Sequence, residues 1–136
     1  MTTTRVYWPD RDQESIRAQL QQGQRLVVCL CAEWCSSCRA WLTVFSNLSK
    51  EFPADCFVWV DIEDHPDLVA DISLETLPVL LIQDAESVYF LGPVQPRLEQ
   101  VARILTCVEP SGNFPDPGLR DLLMASLPPA HPGRTD

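Results

Sequence analysis

The chain carries two kinds of hydrophobic pattern: continuous apolar runs, and apolar residues spaced for one face of a helix. The runs from Arg25 to Ala32 and from Cys56 to Ile62 are of strand length, and they predict central strands covered on both faces. Between these runs, apolar residues from Trp34 to Phe52 recur at three- and four-residue steps, which predicts a long helix with one buried stripe. The centre of the chain therefore predicts a strand–helix–strand unit.

The segments on either side extend this alternation. Thr4 to Trp8 alternates weakly and predicts a short strand, and Asp10, with Gln13 three residues later, predicts the cap of a first helix. Later segments predict, in order, a short helix, an apolar strand, a hairpin partner and a last helix: His65–Ile72, Val79–Ile82, Ser87–Leu91 and Leu98–Leu105. The order β-α-β-α-β-α-β-β-α predicts an α/β fold with a mainly parallel sheet between helices and an antiparallel edge.

A change of composition follows the last predicted helix. Residues 1–108 are predicted to form one domain, since a chain of 136 residues with 46% apolar residues can bury a core. Residues 109–136 are predicted to form a C-terminal extension. Its leucines from Leu119 to Leu127 are spaced for a short amphipathic helix, and Pro128 to Asp136 is expected to be disordered. We expect these leucines to cover apolar surface of the domain rather than to bind a partner.

The charge balance narrows the range of partners. A net charge of −9, from 19 acidic and 10 basic residues, argues against nucleic acids and membranes as partners, because both attract a basic face. The N-terminus lacks the apolar core of a signal peptide, and no apolar run is long enough to span a bilayer. The expected location is therefore a reducing cytoplasm, where six cysteines favour catalysis or metal binding over a disulfide framework.

A C-x-x-C pair, Cys35 and Cys38, lies where the predicted strand meets the long helix. Residues three apart at a helix start share one face, within the distance range of a disulfide. Cys35 would lie at the helix N-terminus, where unpaired N–H groups favour a thiolate, and Arg39 adds a positive charge. Cys38 is expected to face inward. An accessible acidic thiol beside a sheltered one is suited to two-step disulfide exchange.

A metal site is the alternative use of these thiols. Cys29 and Cys31 share a strand face and could complete a set of four ligands. A C-x-C pair inside a buried strand is poorly placed to surround an ion, so no metal is expected. The two residues are better explained as small core hydrophobes.

The segment from Ala32 to Arg39, AEWCSSCR, resembles the active-site segment of thioredoxins. Three further segments resemble the same family in the same order: Asp61–Pro66, Leu77–Val79 and Leu91–Gly92. The similarity extends from about Arg5 to Leu105, so it does not depend on one four-residue motif.

The resemblance implies a thioredoxin fold, with a central mixed sheet flanked by helices, and thiol–disulfide oxidoreductase activity on protein disulfides. Cys35 would be the nucleophile and Cys38 the resolving thiol. A cis Pro78 would lie against this pair, and the substrate groove would also include the residues Trp34, Leu77 and Gly92. No bound cofactor is expected, and the electrons would come from an unidentified reductase or dithiol donor.

The chain also departs from the family pattern. Ser36 and Ser37 replace the usual Gly-Pro, and Cys29 and Trp59 occupy the positions of a buried aspartate and its lysine. Resolution by Cys38 is therefore expected to be slow unless another carboxylate accepts its proton; the nearest in sequence are Glu33 and Asp61. A thioredoxin-like binding or escort module, whose cysteines are regulatory or weakly active, is the alternative function.

Overall fold

The computed structural model describes residues 6–32, 36–70, 72, 74–110 and 114–125, with side chains throughout except at positions 36 and 37. The elements are, in chain order: β1 (Val6–Tyr7), α1 (Gln13–Gln21), β2 (Arg25–Cys31), α2 (Ser36–Glu51), β3 (Asp55–Asp61), the 3₁₀ helix η1 (Pro66–Val69), β4 (Val79–Gln83), β5 (Val88–Pro93), α3 (Leu98–Cys107) and α4 (Leu119–Met124). The predicted order of strands and helices is confirmed, with a 3₁₀ helix in the third helical position.

The five strands form one mixed sheet in the order β1-β3-β2-β4-β5. β1 and β2 pair with β3 in parallel, whereas β4 pairs with β2 and with β5 in antiparallel fashion. The predicted mixed sheet flanked by helices is confirmed. Antiparallel pairing extends further into it than the edge hairpin, because the segment that contains η1 stays at one end of the sheet. β4 therefore starts at the end where β2 and β3 finish.

Each face of the sheet has its own core, because successive residues of a strand point to opposite faces. The face that contains Cys29 and Cys31 packs against α2 and α3 through large side chains that include Trp41 and Phe45. The opposite face packs against α1, η1 and α4. Two helical layers therefore enclose the sheet.

The first helix begins later than its sequence signal predicts. Asp12, not Asp10, precedes α1, and it makes no side-chain cap. Its Oδ2 instead accepts a hydrogen bond from the Trp8 N–H at 2.8 Å. The carboxylate closes the turn between β1 and α1, which a local capping rule does not distinguish from a helix start.

The C-terminal extension packs on the domain through α4. Leu119 and Leu123 are buried in the core beside α1 and η1, and Arg120 Nη2 donates to the carbonyl oxygen of Leu20 at 3.2 Å. The expected covering role agrees with this packing. The end of the predicted leucine pattern and the tail expected to be disordered lie outside the described residues. No helix in the described part of the chain is long and apolar enough to cross a membrane.

Candidate active site

Cys38 lies at the beginning of α2, close to the end of β2. It is the third residue of α2, it is 1% exposed, and Trp41 follows it in the same buried stripe of the helix. The expected inward orientation of Cys38 is therefore observed. Trp34 and Cys35 lie outside the described residues, so their predicted roles remain predictions.

A buried thiol pair lies on the neighbouring strand. The Sγ atoms of Cys29 and Cys31 are 3.6 Å apart, and both residues pack in the same core as Cys38. Cys29 is directly opposite Trp59 in the parallel β2–β3 pair. Trp59 also contacts Phe45, with ring centroids 5.8 Å apart. Cys29 and Trp59 thus pack as apolar side chains at the positions where the family carries an aspartate and a lysine.

The described residues contain no group of three or more His, Cys, Asp or Glu side chains arranged to hold a metal ion. Two other thiols lie away from Cys38. Cys56 is buried on the opposite face of the sheet, where burial first and the Asp55 charge second raise the pKa of its thiol to about 12. Cys107 is exposed at the end of α3.

The structure brings the predicted groove residues Leu77, Pro78 and Gly92 together. The Leu77–Pro78 peptide bond is cis, and the Pro78 carbonyl accepts a hydrogen bond from the Val94 N–H at 3.0 Å. Gly92 is opposite Leu80 in the β4–β5 pair. Leu77 itself packs against the core that contains Cys38. The loop before β4 and the end of β5 therefore lie next to each other, on the core that also contains Cys38.

A pocket of about 390 Å³ opens beside Cys38. Its lining combines one thiol, charged side chains and two indole rings: Cys38, Arg39, Asp61, Asp64, Trp8 and Trp59. Sequence reasoning had not placed Trp8 or Asp64 at the site, and it named Asp61 only for its position in the sequence. The parallel pairing of β1 with β3 would have predicted these positions, since it brings the ends of both strands together.

Comparison with known proteins identifies the family. The thioredoxin family model matches residues 10–101. The chain belongs to the thioredoxin family. The match spans α1 to the beginning of α3, and it includes the C-x-x-C pair, the cis-proline loop and Gly92. Membership supports a thiol–disulfide oxidoreductase role in general terms.

Curated thioredoxins match over shorter stretches. The chain is 30% identical over 69 residues to a thioredoxin H-type of Fagopyrum esculentum, covering 51% of this chain and 60% of that protein. It is 36% identical over 80 residues to a thioredoxin H-type of Picea mariana, covering 55% and 64%. With thioredoxin-3 of Dictyostelium discoideum it shares 55% identity over 48 residues, covering 33% and 46%. The chain thus spans about half to two thirds of the length of these relatives.

Solved structures show the same fold at lower identity. A crystal structure of the thioredoxin NaTrxh from Nicotiana alata superposes with a TM-score of 0.62 at 19% identity, covering 80% of this chain and 97% of that one. An X-ray structure of Fasciola hepatica thioredoxin gives a TM-score of 0.60 at 21% identity, covering 75% and 96%. The thioredoxin fold is therefore established for this chain.

Proposed function

We propose that the protein is a thiol–disulfide oxidoreductase that exchanges electrons with protein disulfides through Cys35 and Cys38. The observation that carries the proposal is the placement of Cys38. It is buried in the first turn of α2, at the end of β2, in a core that also contacts Leu77. A sheltered thiol three residues after a second cysteine has the arrangement that a resolving thiol needs.

In the proposed reaction, the Cys35 thiolate attacks one sulfur of a substrate disulfide, and the other substrate sulfur leaves as a thiolate. The Cys38 thiolate then attacks Cys35 Sγ, which forms the Cys35–Cys38 disulfide and releases the second substrate sulfur. Two electrons pass to the substrate, and a separate dithiol or reductase restores the thiols. Arg39, exposed on α2 beside Cys38, supplies positive charge near the developing thiolates.

The substrate groove is assigned to the cis-proline loop and its neighbours. Proline has no N–H, so Pro78 cannot donate a backbone hydrogen bond to a substrate. The backbone of Leu77, which precedes it, is the segment proposed to pair with an extended substrate chain. Gly92, at the end of the adjacent hairpin, leaves space for that chain, and Trp34 would contact it on the helix side. No bound cofactor enters this reaction.

Protein disulfides and a separate electron donor are the proposed partners. One structural neighbour, thioredoxin f2, was solved in complex with ferredoxin:thioredoxin reductase, which gives one example of such a donor class. We propose a reducing compartment such as the cytoplasm as its location, because a protein that donates electrons to disulfides needs its own thiol pair kept reduced.

Insulin reduction with dithiothreitol as donor tests the proposal. The wild type should accelerate the reaction, whereas Cys35→Ser should abolish the acceleration and Cys38→Ser should accumulate a mixed disulfide with insulin. Cys107→Ser is the matched control, because that thiol is exposed and lies at the end of α3. Wild-type activity equal to that of Cys35→Ser would overturn the proposal and favour a binding or escort module.

A further inference from the structure

The proposed reaction requires Cys38 to lose its proton inside the protein. Cys38 is 1% exposed, and desolvation disfavours a thiolate there. In the described part of this core no side chain carries a charge: Cys29 and Trp59, which hold the places of the family's aspartate and lysine, are buried opposite each other among apolar side chains. The only fully buried polar residues in the described part of the chain are Ser49 and Gln83. Among the described residues, any acceptor therefore lies at the edge of this core; Glu33, the other acid close in sequence, lies outside them.

The pocket beside Cys38 reaches such an edge. With a volume of about 390 Å³, it has room for several waters. Among the described residues, its ionisable lining is formed by Cys38, Arg39, Asp61 and Asp64. Water in this space would connect the sheltered thiol to two carboxylates.

The fold holds Asp61 more firmly than Asp64. Asp61 is the last residue of β3 and lies opposite Cys31 in the sheet. Its Oδ1 accepts a hydrogen bond from the Glu63 N–H at 2.9 Å, and its carbonyl oxygen accepts the N–H groups of Asp64 and His65, both at 3.1 Å. Asp61 is half-buried, whereas Asp64 is exposed. Asp61 is thus the carboxylate with a fixed position at the pocket wall.

We infer that Asp61 is the proton acceptor for Cys38, acting through water in this pocket in place of the missing buried acid. The inference rests on the proposed function. Cys38 gives its proton through water to the Asp61 carboxylate, and its thiolate attacks Cys35 Sγ. The Cys35–Cys38 bond forms, the bond from Cys35 to the substrate sulfur breaks, and the departing thiolate takes the proton back. Arg39, on the same pocket wall, offsets the negative charge during the transfer.

The two steps can be timed separately with dithiobis(nitrobenzoate) and the reduced full-length protein, with Cys107→Ser present in every variant to remove the exposed thiol. The first thionitrobenzoate released reports attack by Cys35, and the second reports resolution by Cys38. Asp61→Asn should slow the second release by about a hundredfold, the range of general acid–base catalysis, and leave the first unchanged. Glu63→Gln is the matched control: it removes the same charge from the same turn, but its exposed side chain lies outside the pocket.

Chemical rescue separates proton transfer from a structural effect. In Asp61→Ala, added formate should raise the second rate in proportion to its concentration, with no effect on the first rate or on Glu63→Gln. Second-step rates within twofold of wild type for Asp61→Asn would overturn the inference. A second step that is slowed by Asp64→Asn but not by Asp61→Asn would also overturn it. The same holds if the second step of Asp61→Ala is slow and formate does not raise its rate. If the wild type releases no second equivalent, the proposed function itself fails.

Discussion

Replacing Cys29 by aspartate puts a carboxyl group at the position where the family carries its buried acid. Cys29 is 0% exposed, its Sγ lies 3.6 Å from Cys31 Sγ, and Trp59 faces it across the β2–β3 pair. A thiol is a weak hydrogen-bond donor, so the new carboxyl would have poor partners in an apolar environment. We expect this variant to be less stable than the wild type.

The size of the loss depends on pH. Burial keeps the new carboxyl protonated in the folded state, whereas in the unfolded chain it ionises above a pKa of about 3.9. The variant is therefore most stable below about pH 4, and it loses about 1.4 kcal/mol for each pH unit above that, or about 4 kcal/mol at pH 7. Burial of the neutral carboxyl adds about 1–3 kcal/mol at every pH. Against a total stability of about 5–15 kcal/mol, the variant is folded in acid and marginal at neutral pH.

Urea unfolding of Cys29→Asp and Cys29→Asn isolates the titrating part of the loss. Asparagine has the same shape but no charge to lose. The free energies of unfolding of the two variants should agree near pH 4 and differ by about 4 kcal/mol at pH 7. Equal stabilities at pH 7 would refute the reasoning, because they would show that the carboxyl is ionised in the fold at no cost.

The same replacement tests the proton path. In the Asp61→Asn background, Cys29→Asp should restore the second thionitrobenzoate release only as the pH rises through the raised pKa of the new carboxyl, because only the ionised acid in the core of Cys38 can accept a proton. In the wild-type background the gain should be small, since Asp61 already serves. Equal restoration by Cys29→Asn would show that packing, not proton transfer, limits this step.

Three further predictions concern stability and the groove. Because the pKa of Cys56 is raised from 9.0 to about 12, its thiol ionises first in the unfolded chain. Wild-type stability relative to Cys56→Ala should therefore fall by about 2 kcal/mol between pH 7 and pH 10.5 in urea titrations. Arg25 Nη2 lies 2.6 Å from Asp55 Oδ2, so Asp55→Asn should cost about 2 kcal/mol in the same assay, and a loss below about 0.5 kcal/mol would contradict this. A methyl group on Gly92 meets the Phe90 ring at an ordinary 3.8 Å. Gly92→Ala should therefore keep its Tm within about 2 °C while kcat/KM for insulin falls several-fold, with no change for dithiobis(nitrobenzoate).

Hydrophobic periodicity predicted the elements well wherever burial decides the pattern. The runs beginning at Arg25 and near Cys56 became β2 and β3 within a residue or two. The first helix was misplaced because Asp12 closes a turn with Trp8, a contact formed only when β1 and α1 meet. The direction of β4 could not be predicted from the local hydrophobic pattern either, because it depends on which end of the sheet the preceding segment occupies.

At the candidate site too, local sequence patterns predicted some features, whereas others depend on contacts between distant segments. The sheltered orientation of Cys38 follows from helical spacing, and the cis bond before Pro78 agrees with the family resemblance. The pocket could not be predicted, because it is formed by residues that are distant in sequence. Trp8 reaches it only through the parallel pairing of β1 with β3. The sheet order, rather than any motif, makes Asp61 a neighbour of Cys38.

The two unusual residues in the core have one physical explanation. A buried carboxylate and a buried ammonium stabilise each other, and either alone is costly, so replacement of one favours replacement of the other. Here Cys29 and Trp59 face each other directly, and Trp59 packs against Phe45 and Trp8. An apolar pair removes the desolvation cost of two charges from the centre of the sheet. With Asp61 at the end of β3, the acid that the reaction needs keeps its contact with water. The arrangement therefore combines a more apolar core with a proton path that runs through solvent.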